Sequence, residues 1–199
     1  MVEVEVPSYR VVEEPVVLSA EKTAVLVVDM QNDFVHPRGK LFVPEAAKTV
    51  DAIKRLLERA REAGALVVYT QDWHTRDDYE FAIWGEHAVE GTWGAEVVEE
   101  LKPREGDVII KKLRYDPFFG TPLDHILRLK KIETLVVTGT VANICVLHAV
   151  GTASLLGYRV VVPIDCISAL TDFDKHAALR QIDFLYRGTL TKSEHIEFE

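Results

Sequence analysis

Short apolar runs rich in β-branched residues recur along this chain, and between them apolar residues fall at every third or fourth position. Thr23–Asp29 (TAVLVVD) is the first run, continuous enough for a strand covered on both faces. Pro44 then opens a stretch through Arg61 with Ala47, Val50, Ile53, Leu56 and Leu57 at helical spacing, and Gly64 stops it. Ala65–Thr70 (ALVVYT) reads as a second strand. Gln71–Gly94 is polar, aromatic and aperiodic, a length of loop that compact domains usually keep for function. Gly94–Leu101 reads as a short helix, Asp107–Ile110 as a third strand and Thr121–Leu129 as a helix with Pro122 at its first position. Glu133–Thr138 is the fourth strand, followed by a helix over Asn143–Leu156 closed by Gly157. Tyr158–Ile164 is the fifth strand, Asp174–Tyr186 a helix and Gly188–Leu190 a short sixth strand.

Buried strands alternating with amphipathic helices imply an α/β fold, a three-layer α/β/α sandwich around a mostly parallel six-stranded sheet. The order 3-2-1-4-5-6, Rossmann-like, is the common one for such a chain, and ligands then sit beyond the carboxyl ends of the strands where the order reverses. Asp29 ends the first strand and Gly139–Cys145 leaves the fourth, so the two should face each other across that reversal. Residues 1–22, rich in Glu and Val with Pro7 and Pro15, read as an extended lead-in, and residues 23–199 as one domain.

Charge narrows the function classes. The formal net charge of −9 argues against nucleic acid and against an anionic membrane surface, both of which call for clustered Lys and Arg. No apolar run approaches the roughly 18 residues of a spanning helix, and the lead-in lacks a signal peptide's apolar centre. Cys145 and Cys166 are the sole cysteines, too few for a disulfide framework, so the expected location is cytoplasmic.

Candidate chemistry gathers at the switch point. Cys145 in GTVANICV falls in the first turn of a predicted helix, where the backbone dipole and free amides lower a thiol's pKa and could hold an oxyanion. Most free cysteines are simply core residues, and Cys166, further from the reversal, is read that way. Asp29 closes an apolar strand; it is either tied up by hydrogen bonds or held as a base. Strand alternation sends Lys111 and Lys112 to opposite sides, so one of them can point at the site.

The local contexts of these residues form a pattern. DMQNDF at 29–34, K-x-R-Y-x-x-F at 112–118, FFGT at 118–121 and VVTGTVANICV at 136–146 resemble, in order, the signature blocks of the isochorismatase-like cysteine hydrolase superfamily. The resemblance runs from about Thr23 to about Asp165. It implies Asp29, Lys112 and Cys145 as catalytic residues, with Lys112 preferred because the family's lysine precedes Arg-Tyr by two places. It also implies a cis peptide at Thr140–Val141 and an oxyanion hole from the Val141 and Cys145 amides.

Asp72 and His74, with His87 after twelve intervening residues, offer one carboxylate and two imidazoles, a set suited to a divalent metal. As a bare pattern this is more often a turn and surface histidines. The resemblance to the nicotinamidase (pyrazinamidase) branch implies that the three hold a metal, zinc first with iron or manganese as alternatives. It also implies that Trp84 and Phe34 line the pocket. The expected activity is a cysteine-dependent amidohydrolase of small molecules, with nicotinamide as the leading substrate. The alternatives are a metal-free amidase of a carbamoyl or ureido compound, resembling N-carbamoylsarcosine amidases or ureidoacrylate hydrolases, an isochorismatase, or a non-enzymatic binding domain. A homo-oligomer is expected, with no nucleic-acid or membrane partner.

Overall fold

The computed structural model describes residues 5–199, so the first four residues of the lead-in lie outside it. Among the described residues nine strands appear in chain order: β1 (Val16–Leu18), β2 (Thr23–Val28), β3 (Leu66–Asp72), β4 (Val108–Lys112), β5 (Thr134–Thr140), β6 (Arg159–Pro163), β7 (Ile167–Ser168), β8 (Thr189–Thr191) and β9 (Ile196–Phe198). Six helices accompany them: α1 (Asn32–Val35), α2 (Ala46–Glu62), α3 (Phe81–Trp84), α4 (Leu123–Leu129), α5 (Leu147–Leu155) and α6 (Asp172–Phe184). The main sheet runs β4-β3-β2-β5-β6-β8, the order predicted for six strands, and its pairings are parallel. A seventh strand, β7, was not predicted; its two residues pair with Gly139 and Thr140 beside the end of β5.

All six residues of β2 are buried, as a central strand with helices on both faces requires. Its side chains alternate between two cores: Val25 and Val27 join the layer under α2, while Ala24, Leu26 and Val28 join the layer under α4, α5 and α6. On α2, Val50, Ile53, Leu56, Leu57 and Ala60 form the buried stripe. Truncating Leu56, which is fully buried, would cost about 2–5 kcal/mol.

Two expectations fail locally. Gly94–Leu101 is not a helix: it forms two single turns, Trp93–Ala95 and Glu99–Leu101, because Val97 between them bridges to Gln31 and Val98 N–H bonds the Met30 carbonyl at 3.0 Å. Those tertiary bonds override a weak local helix preference. The lead-in is not merely extended either. Val16–Leu18 pairs in parallel with Ile196–Phe198 as a separate two-stranded sheet, and Val12 exchanges bonds with Leu190 and Thr191 along the edge of β8. No helix among the described residues is long and apolar enough to cross a membrane.

Candidate active site

At the carboxyl ends of the central strands, polar groups replace the apolar run. Gly139 takes φ 110°, and a Cβ there would stand 2.0 Å from the Val28 carbonyl, so β5 presses against the last residue of β2. Asp29 follows at φ 51°, and β5 leads into Thr140–Val141, a cis peptide. Ser168 Oγ on β7 bonds Thr140 Oγ1 at 3.0 Å and steadies this turn from the other side. Ala142–Val146 then winds as a wide turn, with Val146 N–H reaching back five residues to the Val141 carbonyl at 3.2 Å. Cys145 sits in that turn rather than in the first turn of α5, and its thiol is buried.

Asp29, Lys112 and Cys145 meet here. Lys112 Nζ lies 2.8 Å from Asp29 Oδ2 and 3.6 Å from Cys145 Sγ, and it also binds Asp72 Oδ1. Thr70 Oγ1 donates to Asp29 Oδ1 at 2.6 Å. Asp29 Oδ2 is buried, and the Lys112 ammonium is its ion-pair partner. Lys111, on the opposite face of β4, stacks its ammonium over Trp73 and takes no part. Asp29, Asp72 and Cys145 also have ligand atoms within 4.8 Å of one another, but the Lys112 ammonium lies among them and leaves no room for a cation.

Electrostatics follow from burial. Desolvation disfavours the Lys112 charge, yet Asp29 and Asp72 outweigh it and hold the ammonium well above its usual range. Asp29 moves up: burial raises it, and Asp72 adds to this, while Lys112 offsets part. Asp72 falls to about 2, since Lys112 and His74 overcome the penalty of burial. The Cys145 thiol is pushed well up, first by burial and then by the two carboxylates, with Lys112 pulling it back only in part. This reverses the expectation that a helix start would depress it. Dehydration and the two carboxylates favour the protonated thiol against the pull of one ammonium.

A second cluster adjoins the first. Asp72, His74 and His87, all buried, bring ligand atoms within 4.8 Å of one another. His74 Nδ1 bonds the Asp78 carboxylate at 2.9 Å, while its buried Nε2 has no hydrogen-bond partner and lies 3.9 Å from Asp72 Oδ2. His87 Nδ1 bonds the Gly85 carbonyl at 2.8 Å, and burial lowers its pKa, favouring the neutral ring. An orphaned imidazole nitrogen backed by a carboxylate is the arrangement metal-ligating histidines adopt, so these residues fit a divalent cation.

Both clusters open onto one cavity of ≈ 270 Å³, bordered also by Phe34, Trp84, Tyr115 and Val141. Phe34 packs edge-on to His87, and Trp84 Nε1 donates to Tyr115 Oη at 2.8 Å.

The profile of isochorismatase domains matches residues 23–194. The chain belongs to the isochorismatase family. Among its relatives, ureidoacrylate amidohydrolase of Caulobacter segnis is 33% identical over 91% of this chain and 87% of its own length. The crystal structure of N-carbamoylsarcosine amidase from Thermoplasma acidophilum aligns with TM-score 0.81 and 40% identity, covering 87% of this chain and 97% of that one. Pyrazinamidase of Pyrococcus horikoshii in complex with zinc aligns with TM-score 0.78 and 31% identity over 89% of this chain and 98% of that one. With such relatives, this isochorismatase-family chain is a hydrolase of amide C–N bonds.

Several groups in this isochorismatase-family site escape sequence reasoning. Thr70 is one of many strand threonines. Gln31 holds the backbone of Asp72 from both sides, its amide donating to the Asp72 carbonyl and its carbonyl accepting from Asp72 N–H, each at 2.8 Å. Glu80, raised by burial, borders the cavity with one oxygen 4.0 Å from His74 Nε2. Nothing in RDDYEF singles it out from its acidic neighbours.

Proposed function

We propose that this chain hydrolyses the terminal amide of a small carbamoyl or ureido compound through a covalent intermediate on Cys145. The observation that carries the reading is the convergence of the buried Asp29 carboxylate, the Lys112 ammonium and the Cys145 thiol at the edge of one cavity. A thiol whose pKa is raised by burial needs a base at the moment of attack, and a carboxylate raised by burial is matched to take that proton. Asp29 accepts the proton of Cys145 as sulfur bonds to the carbonyl carbon. Lys112 keeps its charge throughout and stabilises the thiolate character that develops 3.6 Å away. The Val141 and Cys145 amides are assigned to the carbonyl oxygen as it gains charge. Collapse breaks the C–N bond, Asp29 returns the proton to nitrogen, and ammonia leaves. Water, deprotonated by Asp29, then attacks the acyl carbon and releases the acid and the thiol.

Relatives acting on ureidoacrylate and N-carbamoylsarcosine favour the carbamoyl class. Within this chain, Asp72 Oδ1 is already committed to Lys112, which suits a site that works on ionic pairing alone.

A second reading, a metal-dependent nicotinamidase, is favoured by one observation: the unpartnered Nε2 of His74 beside Asp72 and His87. Those three residues would hold the cation, zinc by analogy with the Pyrococcus relative, and it would supply a Lewis-acid contact for a ring nitrogen. Ammonia release from ureidoacrylate, N-carbamoylsarcosine and nicotinamide, with and without chelation, separates the two. Turnover of a carbamoyl compound by metal-depleted protein supports the first reading. Nicotinamide turnover lost on chelation and restored by zinc supports the second.

A further inference from the structure

The cavity is lined by three acidic residues, yet its lining also carries a cation that the chemistry above does not use. Asp29, Asp72 and Glu80 border it, and of the two lysines nearby Lys112 does not line it but is buried between Asp29 and Asp72. The other is Lys40, with its side chain 52% exposed and paired to Glu86, equally exposed. Half-exposed pairs of this kind hold weakly and exchange partners readily. The backbone beneath Lys40 is firmly set. Its N–H bonds the buried Asp33 carboxylate at 3.0 Å, Leu41 N–H bonds the Asp33 carbonyl at 3.0 Å, and Val43 N–H bonds the Phe34 carbonyl at 2.8 Å. Gly39 fits there because a Cβ would stand 2.3 Å from the Asp33 carbonyl. The other oxygen of Asp33 takes Ala88 N–H at 2.8 Å, so one buried carboxylate ties the Lys40 turn to the segment that carries Glu86 and His87.

The lining also holds an apolar set, Leu41, Phe42, Val43, Ile144 and Leu170. A ligand that fits this lining has an uncharged amide for Cys145, an apolar body and an anionic group for Lys40.

We propose that Lys40 is the specificity residue for a substrate carboxylate, exchanging Glu86 for that carboxylate when the cavity fills. The assignment rests on the amidohydrolase reading and narrows it to anionic carbamoyl or ureido compounds. Lys40 offers such a substrate a charge-assisted contact that an otherwise acidic lining lacks, and that contact selects it.

The test compares 3-ureidopropionate with N-butylurea, a neutral compound of similar length, and reads the ratio of their KM values. Lys40→Met raises the anionic-to-neutral ratio by about tenfold or more, the size of one charge-assisted contact. Lys40→Arg brings it back toward the parent, Glu86→Gln lowers it, and high salt shrinks the parent's preference. A ratio that does not move in Lys40→Met overturns the proposal. The ratio of Kd values in the Cys145→Ala protein gives the same answer without turnover. If neither compound releases ammonia, the amidohydrolase reading of these substrates fails, and the Kd ratio still decides the role of Lys40.

Discussion

Two cysteines follow strands at the same end of this sheet, and they differ in what surrounds them rather than in burial. Cys145, after β5, has Lys112 Nζ at 3.6 Å, the Asp29 carboxylate within reach and a cavity in front of it. Cys166, after β6, is wholly buried in the core under α2. Its acidic neighbour, Asp165, is bound by the Ser193 N–H and hydroxyl at 2.8 and 2.6 Å. Burial pushes both thiols up. Acidity at rest therefore does not mark the nucleophile. A carboxylate within reach of the sulfur, a cation facing it and a cavity in front of it do.

Breaking each side of that contrast should give effects of very different size. Cys145→Ala lowers kcat by at least about 10⁴-fold, as loss of a covalent nucleophile does, measured as ammonia release under substrate saturation. Asp29→Asn keeps the shape but loses the proton acceptor, and kcat falls by about 10²–10⁴-fold. Its pH profile sharpens the point. With Asp29 raised by burial, the base is protonated at low pH and freed as pH rises, so the acid limb of kcat/KM lies above the ordinary carboxylate range. The residual activity of Asp29→Asn lacks that limb.

Lys112→Met strands two buried carboxylates and should cost about 3–5 kcal/mol of stability as well as activity, read from the denaturation midpoint. Cys166→Ala, at the small end, leaves kcat within about twofold and costs about 1–2 kcal/mol for the lost core volume. Loss of turnover in Cys166→Ala with a folded protein would dissolve the comparison.

The fold was legible because apolar periodicity is a property of every element: six strands, their order and the reversal at Asp29 follow from runs such as TAVLVVD. Elements with few residues and many tertiary bonds were not. Val97 and Val98 are held by Gln31 and Met30, which lie more than sixty residues away, and β7 exists only because Gly139 and Thr140 present an edge to it. The site divides the same way. Asp29 and Cys145 were found from their places at strand ends, whereas Lys112 over Lys111 needed family context. Thr70, Gln31, Glu80 and Lys40 enter only through distances, since their residue types are ordinary for their surroundings. The raised thiol was missed for a related reason: a helix start is visible in sequence, but dehydration and two carboxylates converging from other strands are not.

The proposed catalysis turns on a covalent bond to one sulfur. Acid-quenching the protein during turnover of a carbamoyl substrate and mapping mass by peptide tests it directly. The prediction is added mass equal to the acyl group on the peptide bearing Cys145, with Cys166 unmodified. Full turnover with the mass on Cys166, or with Cys145 unmodified and its alanine variant equally active, would contradict it.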